Sequence, residues 1–156
     1  MKKIAMCFGA FDGLHAGHED FFRQAKDFAD ELIVVVACDT TIVEITGDLP
    51  RNNEGHRVNC VGEHPLVDEA RLGYLDDKYR IIEEVKPDVI CLGHDQEVFT
   101  ENLDAELARR GLSATVVRCE PFSPEIFKIN YVDRDRDRDE EQNYQDTEYE
   151  ERGLPL

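Results

Sequence analysis

The apolar run LIVVVAC, residues 32–38, constrains the fold of this chain more than any other segment. It is rich in β-branched side chains and contains no polar residue, so it has no alternation between a solvated face and a buried face. Strands of this kind are typical of parallel sheets that are covered by helices on both faces. Strand-like and helix-like segments alternate along the rest of the chain, so we expect an α/β, doubly wound parallel sheet with right-handed crossovers.

Strands are predicted at residues 3–8, 32–38, 88–92 and 114–118, with a further short strand at residues 67–72. This pattern predicts a five-stranded, Rossmann-like sheet. A weak helix is predicted near residues 54–61. Helical spacing predicts three further helices, which carry Phe21, Phe22, Ala25, Phe28 and Ala29, then Leu75, Tyr79, Ile82 and Val85, then Leu103 and Leu107. The polar residues 39–55 are predicted to be a loop because Gly47, Pro50 and Gly55 interrupt them.

The balance of charge excludes two classes of partner. The chain has 35 acidic and 18 basic residues, which gives a formal net charge of −17. Nucleic acid and anionic lipid would be repelled by most of such a surface, so we expect neither as a partner. No apolar run approaches the ~20 residues that a membrane-spanning helix needs. Small anionic substrates remain open, because helix dipoles and a few arginines act locally.

The chain length and the distribution of charge predict one domain and a tail. The 156 residues are enough for a single compact domain, which we place at residues 1–132. Residues 133–156 contain 10 acidic and 4 basic residues with almost nothing to bury, so we expect an acidic, disordered tail. A docking segment for a partner is the alternative interpretation of this tail.

The five cysteines are predicted to be reduced thiols. They are odd in number, widely scattered and form no CxxC pair. Four of them, Cys7, Cys38, Cys91 and Cys119, fall in or beside strand-like runs. Buried, unpaired thiols of this kind indicate a cytoplasmic protein.

The segment GAFDGLHAGH, residues 9–18, follows the first strand and is where we expect the chemistry. Ligands of open parallel sheets bind at the carboxyl ends of the strands. If a helix begins near Gly17, then His15 and His18 lie on one side of its amino end, where the helix dipole attracts phosphate. Gly9 and Gly17 allow the backbone to approach a phosphate closely. Two imidazoles that donate hydrogen bonds to phosphate oxygens suit in-line attack on a nucleotide, with Mg²⁺ offsetting the charge of the leaving group.

The same ten residues resemble the GTFDxLHxGH signature of the cytidylyltransferase-like nucleotidyltransferases. The resemblance extends over about residues 3–130 and includes VACD at 36–39, KPDVI at 86–90 and LGHDQ at 92–96. The last of these segments is similar to the archaeal-type FAD synthases more than to the glycerol-3-phosphate cytidylyltransferases. The resemblance therefore implies a Rossmann-like nucleotidyltransferase fold over residues 1–132.

The activity that the resemblance implies is transfer of AMP or CMP from a nucleoside triphosphate to a phosphorylated small molecule, with release of pyrophosphate. FMN is the first expected acceptor and glycerol 3-phosphate is the second. Magnesium would accompany ATP or CTP, and a homodimer is a further expectation. His15 and His18 would be catalytic, whereas the residues that bind nucleotide or phosphate would be Gly9, Ala10, Phe11, Gly17, Asp39, Arg57, Asp95, Gln96 and Arg118. No metal ligand is assigned by this resemblance.

Three positions depart from the family pattern. Ala10 replaces a threonine, Thr46 replaces a lysine, and Ile129-Asn130 replaces a Ser/Thr pair. Losing one preorganised donor can lower a rate by ~10²–10³-fold, so a catalytically degenerate nucleotide-binding or regulatory module is the alternative function. Arg51 is a candidate substitute for the missing lysine. A metal site formed by Asp12, His15, His18 and His94 is a separate alternative.

Overall fold

Strand β1, Ile4–Gly9, lies at the centre of a five-stranded sheet in which every strand pair is parallel. In this computed structural model the described residues are 2–94, 96 and 102–122. The other strands are β2 (Glu31–Val36), β3 (Glu69–Leu72), β4 (Val89–Leu92) and β5 (Thr115–Arg118), and the order across the sheet is β3-β2-β1-β4-β5. The five predicted strands and their parallel arrangement are therefore confirmed.

Five helices connect the strands within the described residues. They are α1 (Ala16–Asp27), α2 (Asp39–Thr46), α3 (Glu54–Gly62), α4 (Arg80–Val85) and α5 (Leu103–Arg109). None of these described helices has the length and apolar character needed to cross a membrane.

Helices cover both faces of the sheet, as the doubly wound prediction requires. On one face, Cys7 and Val34 pack with Phe21 and Phe22 of α1 and Val61 of α3. On the other face, α4 and α5 contribute Ile81, Ile82, Leu103 and Leu107, which pack with strand residues such as Met6 and Ile33. Successive strand residues point to opposite faces, so the uninterrupted apolar runs fill both layers of the core.

Helix α2 corrects the prediction that residues 39–55 form a loop. Ile42 is the only residue of this helix that is buried, so the eight-residue segment has almost no apolar periodicity to detect. The helix ends at Gly47, which has a φ of 85° in the left-handed region that glycine tolerates. Helix α2 lies directly after the carboxyl end of β2 and so borders the expected site.

Two apolar residues that the helical stripes assigned to the core are exposed. Leu75 is 62% exposed because α4 begins only at Arg80, after a turn in which the Asp77 carboxylate accepts a hydrogen bond from the Tyr79 amide. Phe28 is 44% exposed because α1 ends at Asp27. The apolar period therefore begins before α4 and continues past the end of α1.

The cysteines are free thiols, and four of them, Cys7, Cys38, Cys91 and Cys119, are buried. Cys7 and Cys91 occupy paired positions on β1 and β4. The prediction that most of the cysteines lie in or beside buried strands is confirmed, while their reduced state stays a prediction.

Candidate active site

The segment that joins β1 to α1 forms the centre of the carboxyl edge of the sheet. Phe11 has a φ of 50° and is buried, with its ring centroid 5.4 Å from that of Phe22 and 5.2 Å from that of His18. A non-glycine residue in this region costs about 1–3 kcal/mol and persists where the surroundings enforce it. The packing of Phe11 therefore fixes the path of the backbone just before the two histidines.

His15 begins helix α1 and has its tautomer set by the backbone. Its Nδ1 accepts a hydrogen bond of 3.0 Å from the Gly17 amide, which makes His15 the N-cap. In a neutral imidazole the proton then lies on Nε2, so that edge of the ring is a donor. The sequence prediction that both histidines lie at the amino end of one helix is confirmed, since the rings of His15 and His18 stack with centroids 3.7 Å apart.

Both imidazoles are neutral at neutral pH. Burial lowers the pKa of His15 to about 4. Burial, and then the neighbouring His15, lower the pKa of His18 well below its usual value, while a backbone hydrogen bond with Gly13 acts in the opposite direction. The buried Nδ1 of His18 has no hydrogen-bond partner among the described residues. Leaving a buried polar atom without a hydrogen-bond partner costs about 1–3 kcal/mol. A ligand oxygen that accepts a hydrogen bond at this atom removes that cost.

The shifted pKa of His15 predicts how stability depends on pH. Between about pH 6.5 and about pH 4, the unfolded chain binds a proton at this ring that the folded chain does not bind, so the free energy of unfolding should fall as the pH falls. His15→Asn keeps an N-cap acceptor and removes the titrating group. Urea unfolding at about pH 7.5 and about pH 5 should show a smaller loss of stability in His15→Asn than in the wild type. Equal losses would contradict the assignment.

Asp12 attaches the loop before α3 to the β1–α1 segment. Its carboxylate is buried and accepts hydrogen bonds from the Arg51 amide at 2.7 Å and from the Asn52 amide and side chain at 2.9 and 3.0 Å. Both carboxylate oxygens are therefore used within the protein. Among the residues described, no three His, Cys, Asp or Glu side chains are grouped to hold a metal ion, so the alternative of a metal site at Asp12, His15, His18 and His94 finds no support.

Arg57 is a buried guanidinium on α3 that joins four parts of the site. It donates to the carbonyl oxygens of Ala10 and Ala37 at 2.8 and 2.7 Å, to that of Asn52 at 2.9 Å, and to the Asp39 carboxylate at 2.7 Å. Only 1% of the residue is exposed. The buried guanidinium of Arg57 thus holds the backbone of the β1–α1 segment at Ala10, and it is paired with Asp39, whose side chain is 26% exposed.

Two other predicted site residues connect neighbouring strand ends. Gln96 is buried, accepts from the Gly93 amide at 3.1 Å and donates to the Phe8 carbonyl at 3.3 Å, so it bridges β4 and β1. Arg118, at the end of β5, donates to the carbonyl oxygens of Gly93 and Gln96 at 2.8 and 2.9 Å. Asp95 lies outside the described residues, as do Ile129 and Asn130.

Two depressions open along the β1–α1 segment. The first, which we call the α2 pocket, lies between the carboxyl ends of β1 and β2, helix α2 and the turn after β3, and Gly9 and Ala10 form part of its wall. The second is lined by His15 and Gly17 together with Gly93 and His94 from the loop after β4. The site can therefore hold two ligand groups that meet at residues 9–18.

Sequence reasoning missed Tyr74 and Lys78, which line the α2 pocket. Neither belongs to a motif, and Lys78 falls within the stretch that the stripe from Leu75 to Val85 predicted to be a helix. Thr46, one of the three departures, also lines this pocket, but its hydroxyl donates to the Ile42 carbonyl at 2.9 Å and accepts from the Asp48 amide at 3.2 Å. The Thr46 hydroxyl therefore caps the last turn of α2.

Comparison with known proteins agrees with this geometry. Residues 6–146 match the family model described as Cytidylyltransferase-like. An FAD synthase from Aciduliprofundum boonei is 42% identical over 137 residues, covering 83% of this chain and 90% of that protein. An FAD synthase from Methanosarcina barkeri is 43% identical over 117 residues, covering 75% and 82%. The crystal structure of the lipopolysaccharide core biosynthesis protein from Thermoplasma volcanium superposes with a TM-score of 0.74 at 35% identity, covering 79% of this chain and 100% of that one.

The parallel sheet and the site at its carboxyl edge define a nucleotidyltransferase of the Rossmann-like kind. The chain belongs to the cytidylyltransferase-like family. Its substrate is therefore a nucleotide, and the predicted resemblance and fold class are confirmed.

Proposed function

We propose that the protein transfers the AMP group of ATP to FMN, forming FAD and releasing pyrophosphate. The observation that carries this proposal is the stacked pair of neutral imidazoles, His15 and His18, at the amino end of α1. The choice of ATP and FMN is supported by the FAD synthases that are 42% and 43% identical to this chain.

The reaction needs charge stabilisation and no covalent intermediate. An oxygen of the FMN phosphate attacks the α-phosphorus of ATP, and a new P–O–P bond forms. The bond from the α-phosphorus to the oxygen that bridges to the β-phosphorus breaks, and pyrophosphate leaves with that electron pair. Ring N–H groups of His15 and His18 donate to oxygens on which negative charge increases, and each donor of this kind is worth about 10²–10³ in rate.

The remaining site residues shape the surface on which the phosphates lie. We propose that the backbone of Gly9, Ala10, Phe11 and Gly17 approaches the triphosphate, which the dipole of the 12-residue helix α1 favours. The nucleotide would occupy the depression lined by His15, Gly17 and Gly93. Arg57 and Asp39 act as positioning residues for this backbone, and Gln96 and Arg118 act in the same way on the loop after β4. Asp95 remains a proposed nucleotide-binding residue.

We propose that Mg²⁺ binds as a complex with the nucleotide. Magnesium prefers oxygen ligands and is commonly held by substrate phosphates together with one or two carboxylates. Within the described part of the chain no cluster of three ligating side chains is available, and the nearby Asp12 carboxylate is already hydrogen-bonded. The phosphates are therefore the principal ligands that we expect. The ion would supply charge neutralisation for the leaving pyrophosphate.

Compartment and assembly are the remaining parts of the proposal. The free thiols support a reducing compartment, so we place the reaction in the cytoplasm. A homodimer rests on the family resemblance, and equilibrium sedimentation of the purified protein tests it.

The test combines two nucleotides with two acceptors. Purified protein with Mg²⁺ is incubated with ATP or CTP and with FMN or glycerol 3-phosphate, and both pyrophosphate and the coupled product are measured. We expect pyrophosphate and FAD in equal amounts from ATP and FMN, and neither product when FMN is replaced by riboflavin, which lacks the attacking phosphate.

Other outcomes of this test would change the assignment. Turnover of CTP with glycerol 3-phosphate alone would replace FAD synthesis by cytidylyl transfer. Nucleotide binding without pyrophosphate in every combination would overturn the proposal in favour of a binding or regulatory module.

A further inference from the structure

The depression that we assign to the nucleotide has a third wall, formed by residues 119–122, which we call the post-β5 segment. Cys119, Glu120 and Phe122 line the depression together with residues of helix α1. The Cys119 amide donates to the Leu92 carbonyl at 2.8 Å, which continues the pairing of β5 with β4 by one residue. From the next residue onward the segment is outside the pairing of the sheet, so other contacts must hold it.

Gln24 of helix α1 makes such contacts with both main-chain groups of Glu120. Its Oε1 accepts a hydrogen bond from the Glu120 amide at 2.8 Å, and its Nε2 donates to the Glu120 carbonyl at 3.1 Å. One side chain thus supplies the two-point pairing that a residue of a neighbouring strand would offer. The two residues are 96 positions apart in sequence, so this pair joins the helix that begins at His15 to the post-β5 segment.

Asp20 fixes the orientation of the Gln24 amide. Nε2 of Gln24 also donates to the Asp20 carboxylate at 2.8 Å, and Arg23 bonds the other oxygen of that carboxylate at 2.9 Å. An ionised carboxylate can only accept hydrogen bonds, so it holds the nitrogen end of the amide toward itself. Asp20 is buried and is part of the wall of the depression. Gln24 is therefore held in the orientation that pairs with both groups of Glu120.

We infer that Gln24 is a positioning residue for nucleotide binding, and that it acts by holding the post-β5 segment against helix α1. This inference rests on the proposed function, which places the nucleotide in this depression. Gln24 is not among the described residues that line the depression, so it acts on the nucleotide through Glu120 and its neighbours. Without the Gln24 amide the nucleotide itself must order the segment, and the cost of that ordering weakens its binding.

Binding measurements on Gln24→Met test this inference. Methionine keeps an unbranched side chain of similar length and removes both polar atoms of the amide. The loss of the two hydrogen bonds to Glu120 predicts a fall in ATP affinity of about 5- to 30-fold, measured by calorimetry. FMN affinity should change by less than about twofold, because the nucleotide and not the acceptor occupies this depression.

Two further measurements separate positioning from a general loss of stability. KM for ATP should rise by about 5- to 30-fold while kcat at saturating ATP stays within about threefold, because bound ATP orders the segment. In the free protein, hydrogen exchange of the Glu120 amide should be faster in Gln24→Met, while exchange within strand β5 is unchanged. A variant that is less stable in urea but binds ATP as the wild type does would contradict the positioning role.

Two control variants leave the pairing with Glu120 in place. Asp20→Asn keeps an oxygen that accepts from Gln24 and removes a negative charge from the wall of the depression, so ATP affinity should be equal or higher. Asn59→Met makes a similar change from amide to thioether at an exposed position of helix α3 and should leave ATP affinity within about twofold. A loss in Asp20→Asn as large as that in Gln24→Met would assign the effect to Asp20 and overturn the inference.

The inference and the proposed function fail in different ways. If ATP affinity depends on Gln24 but no combination of nucleotide and acceptor yields pyrophosphate, the positioning role stands and the adenylyl transfer fails. If FAD forms but folded Gln24→Met binds ATP as the wild type does, the function stands and the inference is overturned. A loss of FMN affinity in place of ATP affinity would also overturn it.

Discussion

Replacing His18 with alanine is expected to lower kcat for FAD formation by about 10²–10³-fold while ATP affinity changes by less than about threefold. The buried imidazole is neutral and stacked on His15, and a neutral imidazole has one ring N–H that can donate a hydrogen bond. The charge on the phosphate oxygens grows as the transition state forms, and interactions that strengthen there raise kcat rather than affinity. Pyrophosphate release and ATP titration together measure the two effects.

Two control variants separate catalysis from folding in this experiment. His18→Asn keeps an N–H donor at the same position and should retain more activity than His18→Ala. His56, an exposed histidine on α3, provides the matched control, and His56→Ala should leave kcat unchanged. Urea unfolding of each variant shows whether the fold is intact. A folded His18→Ala protein with wild-type turnover would refute the catalytic assignment.

Replacing Arg57 with methionine should lower the free energy of unfolding by about 3–5 kcal/mol. The substitution keeps an apolar stem and removes a guanidinium that is 1% exposed. The carbonyl oxygens of Ala10, Ala37 and Asn52 lose this donor, and Asp39 loses its charged partner. Buried polar groups without partners are costly, so the loss should greatly exceed that of a surface ion pair.

Arg109→Met supplies the comparison for this second prediction. Arg109 bonds Glu106 at 2.7 Å, but its side chain is 65% exposed, so the expected cost is below about 1 kcal/mol. Arg57→Lys should be intermediate, because an ammonium group cannot span the same acceptors. Urea unfolding measures all three variants. A cost for Arg57→Met as small as that for Arg109→Met would show that Arg57 does not hold the site together.

The centre of the sheet was predictable from sequence because strands β1, β2 and β4 are buried on both faces. Each of these three strands carries a short run of apolar residues that is typical of such strands, and Gly9 and Gly93 mark strand ends where the chain turns toward the site. The edge strands β3 and β5 are only partly buried, and their sequences give a weaker signal. Helix α2 was not predictable in the same way, since Ile42 is its only buried residue. The clearest sequence signal for it is Gly47, which ends the helix in the left-handed conformation. The exposure of Leu75 and Phe28 shows that an apolar period alone does not set the limits of a helix.

The site was predictable where its residues are adjacent in sequence. His15 and His18 are one helical turn apart, so their meeting follows from the start of α1. Arg57 was predicted as a phosphate-binding residue, and its direct contact with backbone carbonyls depends on how α3 packs, which spacing does not specify. Lys78 reaches the α2 pocket only through the order of β3, β2 and β1 across the sheet. A contact of that kind has no local signal in the sequence.

The contacts of Arg57 with main-chain oxygens have a consequence for how this sequence can diverge. A carbonyl oxygen is present whatever side chain a residue bears, so substitutions at positions 10, 37 and 52 can accumulate without removing the acceptors that Arg57 binds. Substitutions that fit the space at positions 10 and 37 should therefore be tolerated better than any substitution of Arg57, whereas Asn52 is also constrained by the hydrogen bond from its side chain to Asp12. A saturation library scored for folded protein would display that contrast.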